Sequence, residues 1–414
     1  MKRILLSVFA VAITAAWAVP ASAADVSLSG QYRLRGEYRD NVDFDDNTSD
    51  SRASWAQRVR VTANAKATDD TSVKVTVQDT RTWGQGGDSS TGTLTDSGTN
   101  NTVDFHEAYV NISNLLDQPV TLRAGRQELA YGDERVIGAF NWSNNGRAFD
   151  AFKLMYSTDA VNVDVFAATI NEDSTDTAET VLTLNDDTDL NGIYATLKQI
   201  PNNTLDVYLL HQTDNVDLTR YTVGARLKGA VAGVDYTVEL PFQTGEQNAT
   251  TDISAWAFAA KAGYTLPTAL KLRVGAEFDM GSGDDDATDN ENGTWTDLFP
   301  TNHAHFGYAD VTGANSWTGR TSNGLSGLTA WSVNGTLDLN EKTKLYAAFW
   351  NYTATENTGS GDDSIGSEID VTATYKYNNA VAVEAGISRF FVGDALAVDG
   401  DDQDWAYLML TANF

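Results

Sequence analysis

The 414-residue chain has no cysteine, six prolines, four histidines, and 28 lysines and arginines against 57 aspartates and glutamates. Each shortage excludes something. Without cysteine there is no disulfide staple, no thiolate metal ligand and no thiol nucleophile, a composition that suits an exported chain. With so few prolines and no linker between halves, the chain reads as one continuous body, although its length would allow several domains. A formal net charge of −29 leaves no basic face for phosphates, so no nucleic-acid partner is expected. Long apolar runs are missing as well, save Ile4 to Val19 near the start. Lys2 and Arg3 precede that run, and the small side chains of Ala21-Ser22-Ala23 follow it. This order predicts a secretory signal peptide over residues 1–23, cleaved after Ala23, with no later apolar span to anchor the chain.

What is present is alternation. In the first segment Val26, Leu28, Tyr32, Leu34 and Tyr38 fall on one face, and Ser27, Gln31, Arg33, Arg35 and Glu37 on the other. A period of two separates these sets across a strand. In a membrane barrel the apolar set meets lipid, because an arginine turned to hydrocarbon costs roughly 2–4 kcal/mol at the midplane. The pattern recurs with Val59 and Val61 against Arg58 and Arg60, and with Val73, Val75 and Val77 against Lys74, Thr76 and Gln78. It returns with Val274, Ala276 and Phe278 against Arg273, Glu277 and Asp279, and with Ile369 and Val371 against Glu368 and Asp370. The last segment, Trp405 to Phe414, also alternates, and pairing it with the first would leave no edge open.

Short turns at 68–71, 114–119, 157–160, 199–203, 229–233, 265–269, 340–343 and 377–380 take turns with usually longer segments at 40–53, 84–102, 130–146, 171–188, 213–217, 246–251, 280–326, 354–365 and 391–403. The fold class expected is therefore all-β: one transmembrane antiparallel barrel over 24–414, with 18 strands, short periplasmic turns and long extracellular loops. Its place is the outer membrane of a Gram-negative bacterium, beside lipid and lipopolysaccharide.

Acidic residues crowd the loops at 43–50, 172–179, 284–291 and 399–404. A solvated outer surface explains them. Calcium is the alternative, since hard cations prefer carboxylates, but the 281–293 run lacks EF-hand spacing. Cations collect instead on lumen-facing positions: Arg33, Arg35, Arg58, Arg60, Lys74, Arg123, Arg147, Lys153, Arg220, Arg226 and Lys228. Some must neutralise inward acids such as Glu107, Asp164 and Asp235. The surplus points to a positively lined conduit whose low-dielectric walls focus the field on an anion. Guanidinium matches carboxylate bidentately, which suits a uronate sugar.

One segment is dense in motif. It reads Phe105-His-Glu-Ala-Tyr-Val110, Leu122-Arg-Ala-Gly-Arg-Gln-Glu-Leu129, Tyr131-Gly-Asp-Glu-Arg135 and Phe140-Asn-Trp-Ser-Asn-Asn-Gly-Arg-Ala-Phe-Asp150. This resembles the alginate-export family of outer-membrane porins, as does Phe299 to Asp310 in the longest loop. The resemblance implies eighteen strands, an arginine-rich pore and passage of an anionic exopolysaccharide, and it marks Arg126, Asp133, Arg135, Arg147 and Asp150 as signature positions. Physically, Tyr131, Val136, Ile137, Phe140 and Trp142 are too apolar for an exposed loop, so 130–146 is expected to fold into the barrel mouth. There Arg126 and Arg135 would pair with Asp133, Glu107 or Asp150, either as a constriction or as a structural plug anchor.

His303 and His305 raise a metal reading, but two histidines without a visible third ligand favour packing against Phe299, Phe306 and Tyr308. Trp295, Trp317, Trp331 and Trp350 suit either sugar stacking or the interfacial girdle. No nucleotide-binding loop and no G-x-S-x-G elbow is present, so neither an enzyme nor a cofactor is expected. The reading favoured is a passive channel for an alginate-like polyuronate, with the polymer and periplasmic export proteins as partners. The alternatives are a general or nutrient-uptake porin for small anions or other solutes, and a closed surface scaffold.

Overall fold

Period-two alternation yields strands wherever it occurs. In the computed structural model these are β1 (Asp25–Asp40), β2 (Arg52–Lys66), β3 (Thr71–Thr82), β4 (Asp104–Ile112), β5 (Val120–Gln127), β6 (Phe149–Ser157), β7 (Val161–Asn171), β8 (Thr188–Ile200) and β9 (Asn203–Thr213). They continue as β10 (Thr219–Val231), β11 (Val234–Asn248), β12 (Thr251–Thr265), β13 (Arg273–Gly281), β14 (Leu328–Asn340), β15 (Thr343–Thr353), β16 (Ser364–Lys376), β17 (Val381–Val392) and β18 (Gln403–Asn413). The structure describes residues 25–84, 103–171, 187–214, 217–286, 288–311, 313–359, 361–397 and 400–414. The expected signal peptide, the acidic run at 172–179 and nearly all of 84–102 lie outside the described residues.

Consecutive strands pair antiparallel, and β18 returns to β1 from Gln31↔Asn413 to Asp40↔Asp404, closing an 18-stranded barrel. The closure extends past the ladder: Gly30 and Phe414 exchange backbone hydrogen bonds of 2.7 and 3.0 Å. The Phe414 ring lies over Gly30 on the outward face, where any Cβ would collide with it. Full closure satisfies every strand edge, the condition for crossing a bilayer with strands. Among the described residues no helix is long and apolar enough to cross a membrane.

The burial pattern is inside-out relative to a water-soluble fold. Leu28, Phe152, Leu154, Val223, Val333 and Ile387 are exposed, whereas Arg33, Arg58, Arg226, Glu368 and Asp370 are buried. Outward Trp55 stacks on Trp83 at 6.0 Å, and outward Trp331 lies 5.6 Å from Phe349, as girdle residues do. Trp295, Trp317 and Trp350 are instead buried inside. A bulge at His106 in β4 breaks the register between Thr76 and Val77, so that His106 and its neighbour Glu107 are both buried.

The interior is filled by chain rather than by strand side chains alone. Segments 128–148 and 282–327 supply Leu129, Val136, Ile137, Trp295, Phe306 and Trp317 to one apolar cluster, which continues onto Phe149, Leu190 and Tyr352 of the wall. Burying apolar area at about 25 cal/mol per Å² is what holds such segments in the barrel rather than in water.

Candidate functional site

The site begins with register. Arg33 of β1 stands opposite Arg58 of β2, and Gln31 opposite Arg60, so three guanidiniums share one inward patch. Like charges facing each other across a ladder repel, and acceptors must offset this. The acceptors are backbone carbonyls of the inward segment. Arg33 donates to Asn141 O at 2.7 Å and Ser143 O at 2.9 Å. Arg58 donates to the same two oxygens at 3.1 and 3.2 Å, and to Gln31 Oε1 at 2.9 Å. Arg35 donates to Trp142 O at 2.7 Å and pairs with Glu37. Arg60 donates to Gln78 Oε1 at 2.6 Å, Asn141 Oδ1 at 2.7 Å and Asn145 O at 3.1 Å, with Glu128 at 3.6 Å. Below them Lys74 pairs with Glu107 at 2.5 Å. Among the described residues neither Arg33 nor Arg58 has a carboxylate at ion-pair distance.

On the facing wall the charges are balanced. Asp133 pairs with Arg226 of β10 and with Lys261 of β12 at 2.5 Å, and Arg226 also reaches Asp206 at 2.8 Å. Buried Arg135 pairs with Glu277 and, at 2.8 Å, with Asp279 of β13. Burial alone would raise the Asp133 carboxyl, but Lys261 and Arg226 hold it below the usual carboxylate range. Gly132 makes this approach feasible: it sits at φ 60°, and a Cβ there would meet Arg226 and the Tyr194 hydroxyl.

The two inward segments clasp each other. Gly138 N donates to Phe299 O at 2.7 Å, Phe299 N to Val136 O at 2.9 Å, and Thr301 N to Glu134 O at 2.8 Å. His305 Nε2 donates to Asp133 O at 2.7 Å. Burial, together with Arg135 and Lys261, pushes the His305 imidazole well below its ordinary value and keeps it neutral. His303 stacks on Trp142 at 3.8 Å and bonds Asp310 at 2.8 Å. The two histidines thus serve different contacts, and among the described residues no group of histidine, aspartate or glutamate is arranged to hold a metal ion. Glu368 of β16 then fastens the second segment, accepting from Tyr308 N at 2.7 Å and Ala309 N at 2.8 Å.

Several expected lumen residues sit as read from alternation. Arg123 donates to Asn111 at 2.9 Å, Lys153 pairs with Asp164 at 3.4 Å, and Arg220 donates to Gln212 at 2.9 Å. Others need correction. Arg126 and Asp150 do pair, at 2.9 Å, but they are register partners on the exposed face that carries Phe152 and Leu154. Neither lines the lumen. Arg126 is three residues from inward Arg123, and a spacing of three places side chains on opposite faces of a strand. Arg135 meets β13 acids rather than Asp133, because the loop crosses the lumen instead of folding on itself. Arg147 lines no wall; it ties the segments together through Gly138 O at 3.1 Å, Phe299 O and Pro300 O at 3.1 Å. Sequence reasoning overlooked Lys261 and Arg39 as site residues, although alternation signals both; Arg39 holds Ala309 O and, at 2.6 Å, Gln403.

Two cavities flank the arginine patch. One of about 580 Å³ lies at the loop end of β1–β3, lined by Glu37, Arg39, Arg52, Asp310, Phe44 and Gln403 among others. The other, about 460 Å³, lies at the turn end of β1–β4, with Asp25, Lys66, Lys74, Tyr109 and Asn111. The wall thus carries cations from one end to the other, pinched midway by residues 141–145.

Comparison with solved structures finds the same architecture in proteins of Pseudomonas aeruginosa. OpdG aligns with a TM-score of 0.64 at 13% identity, covering 94% of this chain and 98% of its own. OpdO gives 0.63 at 12% identity with 94% and 97% covered, and the outer membrane protein OprD gives 0.62 at 14% with 94% of both. Such low identities speak for the fold alone. No curated protein matches the chain. The profile of the family described as Alginate export matches residues 24–405, and with the closed barrel and its arginine-lined wall this chain belongs to that family of outer-membrane channel proteins.

Proposed function

We propose that the barrel is a passive outer-membrane channel for an anionic polysaccharide or its oligomers, of the alginate-like polyuronate class. The observation that carries this reading is the Arg33–Arg58 pair, buried and inward, with only neutral acceptors around it. Guanidiniums without a direct carboxylate partner in a low-dielectric wall attract anions, and their planar fork suits a carboxylate. Lys74 below and Arg39 and Arg52 above extend the track to both cavities. The driving energy comes from a gradient or a synthase elsewhere. On this reading the chain reaches the outer membrane after loss of residues 1–23 and contacts lipid, lipopolysaccharide and periplasmic export proteins.

A channel for small anions is the second reading, favoured by the pinch at residues 141–145, which separates two modest cavities. Planar-bilayer recording under a salt gradient separates the two. Anion-selective current blocked by oligouronates, and not by neutral oligosaccharides, supports the polyuronate channel. Open current without uronate-specific block supports the small-solute channel, and silence under every condition argues against both.

A further inference from the structure

The pinch on the arginine wall has a particular chemistry. Turn 141–145 offers Arg33, Arg35, Arg58 and Arg60 four backbone carbonyls, those of Asn141, Trp142, Ser143 and Asn145, and no carboxylate. Hydrogen bonds to an ionised acceptor are about twice as strong as those to a neutral one. The patch is also short of acceptors: Arg58 Nε is buried without a hydrogen-bond partner.

We propose that Arg33 and Arg58 form a carboxylate-binding site that the carbonyls of Asn141 and Ser143 occupy as internal surrogates, and that a carboxylate-bearing ligand opens the passage by displacing turn 141–145. The inference rests on the anion-channel reading above and adds how the path is closed and what opens it.

The attachment of the turn fits this role. Its flanks are anchored firmly, by the Asp133 and Arg135 ion pairs on one side and by Arg147 on the other, whose N–H bonds Ala139 O at 2.7 Å. Between those anchors the turn closes on itself through Ser143 N to Phe140 O at 3.1 Å. Its remaining side-chain ties are Gln78 to Asn145 O at 2.9 Å, Asn144 to Gln57 O at 3.3 Å, Asn141 to Glu128 Oε1 at 3.3 Å, Arg60 to Asn141 Oδ1 at 2.7 Å, and the stack of Trp142 on His303. Moving the turn unmakes these contacts, the Trp142 stack included, but leaves the buried ion pairs of Asp133 and Arg135 intact. A carboxylate offers its two oxygens to the two shared forks, whereas a neutral sugar brings only hydroxyls that compete no better than the carbonyls already there. The cavities of about 580 Å³ and about 460 Å³ lie at opposite ends of the strands that carry these arginines.

Because the natural chain has no cysteine, Ser143→Cys creates a unique attachment point for a nitroxide spin label. Label mobility and bilayer current are measured on the same labelled protein, with a defined oligouronate and with a neutral maltooligosaccharide. The proposal expects the oligouronate to mobilise the label and the neutral sugar to leave it immobile. Arg33→Gln with Arg58→Gln should make the label mobile without ligand and weaken oligouronate block by on the order of tenfold or more per arginine. Block by the oligouronate with an immobile label overturns the displacement and leaves the channel standing. Equal mobilisation by the neutral sugar overturns carboxylate recognition. An immobile label with no block defeats this inference and the polyuronate channel together. Mobilisation without any effect on current supports the site but removes it from the conducting path. If the double variant fails to fold, the response of the Ser143→Cys protein alone decides the matter.

Discussion

The indole of Trp142 lies flat on the imidazole of His303, with 3.8 Å between ring centroids and 6° between planes. The pair links the tips of two segments that approach from β5–β6 and β13–β14. Arg35 covers the Trp142 ring at 4.0 Å, and Trp405 and Tyr407 meet it edge-on. Aromatic pairs contribute about 0.5–1.5 kcal/mol beyond area, and cation–π contacts a similar amount.

Trp142→Ala removes this link, and the turn it belongs to should fluctuate. Single-channel traces of the variant should show frequent brief openings and a higher mean anion conductance. A quiet trace at the wild-type level would mean that the arginine–carbonyl bonds hold the turn unaided.

Asp133→Asn leaves Arg226 and Lys261 without their shared carboxylate. Breaking a buried pair costs about 3–5 kcal/mol, so the variant should unfold at clearly lower urea concentration in lipid vesicles. Lys261, left without a carboxylate while Arg226 keeps Asp206, should also strengthen anion selectivity, read from the reversal potential. An unchanged unfolding midpoint would place Asp133 outside the anchoring role.

The pH dependence of that anchor follows from the same contacts. A carboxyl depressed in the native state contributes stability above its unfolded value, and loses it as pH falls through the native one. With Asp133 held below the usual range near ~3.9, its contribution should persist from neutral pH down to about 4 and disappear only in stronger acid. Proteolysis of the segment across a pH series checks this. Release already between pH 6 and 5 would contradict it.

Arg126→Ala should do little. Its pair with Asp150 stands at the loop-side ends of β5 and β6 with both side chains well exposed, where ion pairs are worth under about 1 kcal/mol. Conductance and selectivity should match the unaltered protein, in contrast to Arg33→Gln. A large loss of anion preference in Arg126→Ala would bring this residue back into the lumen.

Gly146→Ala tests the turn from its backbone. Gly146 sits at φ 71°, and a Cβ there would come 2.5 Å from Arg60 Nη2. The left-handed strain costs about 1–2 kcal/mol, and the clash pushes Arg60 from Asn145. Raised leak current with an intact barrel is expected; wild-type current would show that the turn absorbs the change.

How much of this was legible beforehand follows from the range of each interaction. Strand periodicity is local, so the inward placement of Arg33, Arg58, Lys74 and Arg226 could be read directly, and so could the closure of the last strand onto the first. Arg126 was misread because a residue at the end of β5 was taken with the loop that follows. A count of three from Arg123 would have turned it outward.

The partners were out of reach for a different reason. Arg33 meets Asn141 across 108 positions of sequence, and Arg135 meets Glu277 across 142. No pattern within a segment encodes which loop crosses the lumen, or whether an inward arginine meets a carboxylate or a carbonyl. Alternation and composition, acting through backbone geometry and the cost of charge in lipid, determined a barrel with cations turned inward. The packing of segments 128–148 and 282–327 against its walls decided which of those cations meet carboxylates and which meet only carbonyl and amide oxygens.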